Sequence, residues 1–119
     1  MRITLNKNQA YILQHALDIY CRVGTKQLEM IVAEMDDEYL SLRPEVEDEV
    51  RNIKKKLFNM DLHAGKGISG TGKQYRESYS MMKIIQKYLY DKDGKGKTSV
   101  WSNGNILELN SEPEIEVVD

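Results

Sequence analysis

The densest chemical signal in the chain is Gly65-Lys66-Gly67-Ile68-Ser69-Gly70-Thr71-Gly72-Lys73. Gly65, Gly67 and Gly70 spell the dinucleotide fingerprint G-x-G-x-x-G, and Gly67 to Lys73 spell most of a phosphate loop, G-x-x-x-x-G-K. Neither match has its context. Gln74 stands where Ser or Thr would hold magnesium, the segment follows a helical pattern rather than a strand, and no βαβ unit fits around it. The underlying physics survives the failed motif. Closely spaced glycines let backbone N–H groups converge on one point, a helix start follows, and Lys66, Lys73 and Arg76 add positive charge there. A phosphate would be favoured at such a place. The same glycines also suit a plain turn-rich loop with lysines for solubility.

A second candidate is Arg22-Val23-Gly24-Thr25-Lys26-Gln27, which sets Arg22, Lys26 and Gln27 around a tight corner between two helices. An ordinary helix corner with Gly24 at the C′ position explains the same letters. Aromatic side chains offer stacking surfaces. Tyr75 lies close enough to the glycine loop to act in a ligand site and Tyr79, one turn further on, reads as core, while Trp101 stands beside Asn103 in a region that also reads as cover for a small sheet. Nucleophilic or metal chemistry has no comparable support. His15 and Cys21 do not share a helix face, His63 stands alone, no Cys/His cluster has zinc spacing, and Cys21 falls at a core-facing position. The expectation is therefore a binding protein with no catalytic set, no metal and no cofactor.

These residues need elements to hold them. Arg2 to Leu5 is a β-prone opening, and Asn6 is an N-cap candidate for a helix over 7–22. Ala10, Leu13, Leu17, Tyr20 and Cys21 mark its face, and Ile12, Ala16 and Ile19 widen the stripe toward burial on more than one side. Thr25 is placed to cap a second helix whose face runs Leu28, Ile31, Val32, Met35, Tyr39. Arg43-Pro44-Glu45 starts a third. There Val46, Val50, Ile53, Leu57 and Met60 form the apolar face, and an acidic start with Lys54, Lys55 and Lys56 at the end reads as a solvated surface aligned with the helix dipole. A fourth helix spans about 74–91 with Tyr75, Tyr79, Met82, Ile85 and Leu89 as its stripe. A basic break over 92–97 precedes Asn103-Gly104, a strong hairpin signal flanked by β-prone residues, and Glu114 to Val118 alternates like a strand.

The reading is one domain over 1–119, mainly α with some β. Four helices pack on a small antiparallel sheet from the C-terminal hairpin and last strand (98–118), with residues 2–5 able to complete it. At 119 residues, 40% hydrophobic and 30% charged, the chain can bury a core without staples. A net charge of −2 argues against a strongly basic nucleic-acid binder. One cysteine excludes an internal disulfide and suits a reducing cytoplasm. No apolar run approaches the ~20 residues of a membrane span, and Met1 to Leu5 lacks the core of a signal peptide.

Ala16-Leu17-Asp18-Ile19-Tyr20-Cys21-Arg22-Val23-Gly24-Thr25-Lys26-Gln27 resembles a stretch of short tailed-bacteriophage proteins in which A-L-x-x-Y-x-R-x-G-x-x-Q recurs near the N-terminus. In that group a Gly-Ile loop, similar to Gly67-Ile68, precedes a tyrosine-rich helix similar to residues 79–86. The likeness covers about half the chain. It implies a phage protein acting in the bacterial cytoplasm by stoichiometric binding, with Arg22, Gly24, Gln27, Gly67, Ile68 and Tyr79 as site residues of unassigned role.

The expected function is capture of a nucleotide-derived, phosphate-bearing signalling molecule of a host defence system. Arg22, Lys66, Lys73 and Arg76 would neutralise phosphate, the amides from Gly67 through Gly70 to Gly72 would cradle it, Gln27 would bind base or ribose, and Tyr75 or Trp101 would stack. The alternative is a protein-interaction module that inhibits a host protein, with the acidic stretch 34–49 imitating DNA. Wide apolar stripes predict a homo-oligomer.

Overall fold

In the computed structural model the described residues are 2–36, 41–93 and 114–118. The Asn103-Gly104 hairpin, Trp101, Tyr39 and the basic stretch from Gly94 lie outside them. The order is β1 (Arg2–Asn6), α1 (Lys7–Gly24), α2 (Leu28–Glu34), α3 (Pro44–Phe58), a 3-10 turn (Ile68–Gly70), α4 (Lys73–Asp93) and β2 (Glu114–Val118). Four helices with a small two-stranded sheet make the chain mainly α, as the periodicities predict. The sheet corrects the expected pairing. β1 and β2 run parallel, in register from Arg2 opposite Glu114 to Asn6 opposite Val118. The partners are the two ends of the described fold, joined by a crossover that contains every helix, which is the connection a parallel pair requires.

Asn6 starts α1 through a reciprocal capping box. Its Oδ1 accepts from the Gln9 amide at 2.8 Å, and Gln9 Oε1 accepts from the Asn6 amide at 3.0 Å. α4 lies antiparallel along α1, pinned where Ser78 Oγ donates to the Leu17 carbonyl at 3.1 Å and the Cys21 thiol approaches the Tyr75 carbonyl at 3.7 Å. Ala10, Ile84, Ile85 and Leu89 meet Ile115 and Val117 in the main core, with Leu5, Leu13, Leu17 and Tyr88 around them.

The stripe of α1 is narrower than expected. Ile12 is 69% exposed, and Ala16 is exposed as well, so this second apolar side faces outward. α3 is rotated from its sequence reading. Ile53 and Leu57 point to solvent, while the buried positions are Val50 and, fully, Lys54. The reason is a charged partner on the facing helix. Lys54 Nζ donates to Glu29 Oε1 at 2.8 Å and Oε2 at 3.2 Å on α2. It also donates to the carbonyls of Leu62 at 2.7 Å and Ala64 at 2.5 Å. Asn59, left-handed at φ 54°, ends α3 and turns the chain back so that those carbonyls reach the ammonium.

Candidate functional site

The C-terminal corner of α1 is built by backbone geometry. The amide of Lys26 donates to Val23 O at 3.3 Å and that of Gln27 to Arg22 O at 3.0 Å, the paired bonds of a Schellman motif. Its left-handed residue is Lys26, at φ 64°, and not Gly24. Gly24 is glycine for another reason: a Cβ there would sit inside 3.0 Å of three carbons of the Tyr75 ring. Thr25 likewise closes α1 rather than capping α2, with its hydroxyl against the carbonyls of Cys21 and Arg22 at 3.2 and 3.3 Å.

This turn folds Gln27 back onto Arg22. Arg22 Nη1 donates to Gln27 Oε1 at 3.0 Å, and Thr25 Oγ1 lies 2.7 Å from the same oxygen. Asp18, one turn earlier, holds Arg22 Nε from the other side at 3.6 Å. The glycine loop docks on the corner where the Lys66 amide donates to Thr25 O at 2.8 Å. A Cβ at Gly65 would press Gln27 Cγ and that carbonyl, each at 3.2 Å, so one of them would have to give by a few tenths of an ångström. Between corner, loop and α4 opens a cavity of about 440 Å³. Asp18, Cys21 and Arg22 line it from α1, Thr25 and Gln27 from the turn, Gly65 to Ile68 from the loop, and Tyr79 from α4. Small-molecule sites have volumes of this order.

Six of the residues proposed as ligand-binding from the sequence therefore share one cavity, Arg22, Gln27, Lys66, Gly67, Ile68 and Tyr79, together with Gly65 of the glycine motif. The rest do not join them. Lys73 is exposed and pairs with Glu77 at 3.7 Å. Arg76 donates to the Thr71 carbonyl. Gly70 and Thr71 spend their amides inside the 3-10 turn, on Gly67 O and Ile68 O, and Gly72 lies beyond it against Gln74. The expected continuous amide cradle is thus split, because the 3-10 turn consumes the middle donors. Tyr75 meets Tyr20 with the rings tilted by 40° and centroids 5.0 Å apart, and its ring lies against Gly24, so it supports the corner instead of lining the cavity. Sequence reasoning missed Asp18, Cys21 and Thr25 as lining groups. Asp18 was legible, being one turn from Arg22.

Charges in the cavity are two cations, Arg22 and Lys66, against the single carboxylate of Asp18. The amides of Gly67 and Ile68 have no acceptor among the described residues. Burial pushes the Cys21 thiol up from its ordinary 9.0, the Ser78 hydroxyl partly opposing this, so at neutral pH it is a thiol and not a thiolate. Burial raises the Tyr79 phenol as well, with Cys21 adding to it. Neither Cys21 nor Tyr79 is primed as a nucleophile by this setting. No protein-family model, curated protein or solved structure matches this chain.

Proposed function

We propose that this protein captures a phosphate-bearing, nucleotide-derived small molecule in the cavity between the α1 corner and the glycine loop, releasing it unchanged. The observation that carries the reading is the convergence of Arg22 and Gln27 from the α1 corner with Lys66 from the distant glycine loop on one cavity with unspent hydrogen-bond donors. Arg22 Nη2 and Lys66 Nζ have no acceptor among the described residues. Net positive lining with polar donors suits an oxyanion, and Tyr79 supplies an aromatic wall. Together with the resemblance to phage proteins, this supports a cytoplasmic role in sequestering a host defence signal.

The acidic stretch supports a DNA mimic less well. Glu34 pairs with His15, Asp36 with Arg43, and Glu47 and Asp48 with Arg51, so much of its charge is spent internally. Self-association belongs to the proposal. Ile12, Ala16, Ile19 and Val23 repeat at 4-3-4 spacing on the side of α1 opposite its core residues, an uncharged strip with the periodicity of a helix–helix seam.

The test is native mass spectrometry of the protein alone and with cyclic nucleotides and ADP-ribose derivatives. The expected result is a homo-oligomer carrying a stoichiometric adduct whose ligand is recovered intact. Arg22→Ala with Lys66→Ala abolishes the adduct at nearly unchanged Tm, whereas Lys73→Ala keeps it. A chemically altered ligand, or no adduct across the panel, overturns the reading.

A further inference from the structure

We infer that the side-chain amide of Gln27 is locked as a hydrogen-bond donor toward the cavity, so that the group bound there is an oxygen acceptor, a terminal phosphate rather than the donor edge of a base. The inference rests on the binding reading above and narrows its ligand. Arg22 is a guanidinium and can only donate. The Gln27 atom 3.0 Å from Arg22 Nη1 must therefore be the carbonyl oxygen, Oε1. Thr25 Oγ1 sits 2.7 Å from that oxygen, nearer than the carbonyls of Cys21 and Arg22 at 3.2 and 3.3 Å, the other acceptors within reach of its single proton.

The Arg22 guanidinium fixes the amide's orientation, since flipping it would set the NH2 against a group that can only donate. The amide is planar, so Nε2 lies on the side away from Arg22 and Thr25. It has no acceptor among the described residues, and Gln27 is half-buried in the cavity wall. A partly desolvated NH2 without a partner is costly, and a ligand oxygen removes that cost. Half-buried Arg22 offers Nη2 to the same cavity, and the exposed Lys66 offers Nζ at its edge. Asp18 is the one carboxylate acceptor, and it faces Arg22 Nε. The donor surplus selects a ligand end that only accepts, which describes a phosphate.

The experiment compares the wild type with Gln27→Glu and Gln27→Met by calorimetric titration with AMP, ADP-ribose and pyrophosphate, and with adenosine as the phosphate-free control. The side-chain amide of Gln27 is followed by 15N–1H spectra in parallel. Gln27→Glu keeps the acceptor for Arg22 and Thr25, and Gln27→Met removes the amide without adding charge. The phosphate probe that binds the wild type should bind both variants at least tenfold more weakly, while Gln27→Glu retains the wild-type Tm. The Gln27 NH2 signals should move downfield with that probe and stay in place with adenosine. Binding within threefold of wild type in Gln27→Met, unmoved NH2 signals, or adenosine binding as tightly as AMP refutes the donor assignment. If Arg22→Ala still abolishes phosphate binding in that case, the cavity reading stands and only the role of Gln27 falls. Absence of phosphate binding by the wild type overturns both.

Discussion

Lys54→Met offers the sharpest test of how this fold holds its site. The substitution keeps the length of the side chain and removes the ammonium from a position with no solvent exposure. It strands the Glu29 carboxylate, which is 5% exposed and loses the donor at 2.8 Å, and it unpairs the carbonyls of Leu62 and Ala64. Removing one partner of a buried ion pair costs about 3–5 kcal/mol, because the remaining charge is left desolvated. Each orphaned carbonyl adds roughly 1 kcal/mol. Against a whole-domain stability of about 5–15 kcal/mol, this is a large fraction. At about 4 °C per kcal/mol for a chain of this size, a total of about 5–7 kcal/mol should lower Tm by roughly 20–28 °C. Urea unfolding of Lys54→Met, Glu29→Met and the double variant would close a mutant cycle. The double variant should be more stable than Lys54→Met alone, since two methionines replace the ions with apolar contacts. The carbonyls concerned lead directly into Gly65, so ligand affinity should fall even in the refolded double variant. A loss below about 1 kcal/mol in Lys54→Met, or strict additivity in the cycle, would refute the reasoning.

Gly24→Ala should cost about 1–3 kcal/mol in urea unfolding, since its Cβ overlaps the Tyr75 ring and must drive that ring off Tyr20; an unchanged midpoint would show that the corner has slack. Stability should be flat at neutral pH and decline above pH 9. The folded state raises the Cys21 thiol above 9.0 and the Tyr79 phenol above 10.0. Between the unfolded and folded values the unfolded chain has released protons that the folded chain still holds, so rising pH favours unfolding. Urea midpoints measured from neutral to alkaline pH check this, and a midpoint that rises above pH 9 contradicts it.

Much of this protein was legible in its residues, and the legible parts share a cause. Helix starts at Asn6 and Pro44 and the strand alternation of residues 115–117 are local matters, decided by side chains and backbone within a turn or two of each other. The corner Arg22-to-Gln27 and the loop Gly65-to-Ile68 announced themselves by glycine and charge. That they face one cavity did not follow from spacing, because some forty residues and all of α3 lie between them.

Lys54 shows the limit most clearly. In the sequence it is the first of three consecutive lysines at a helix end, where solvent is the natural partner. In the fold it is fully buried, since Glu29 and two loop carbonyls happen to converge on its ammonium while Lys55 and Lys56 remain outside. Lys73 and Arg76 make the converse point, because nearby acceptors on their own segment hold them away from the cavity. Periodicity ranks which residues are able to be buried or to bind. Which of them do is decided by distant partners, for desolvating a charge is tolerable only where the fold supplies matching oxygens. The parallel pairing of β1 with β2 is the same lesson at the level of topology: the residues alone determined two short strands, and only the packing of α4 back along α1 brought them side by side.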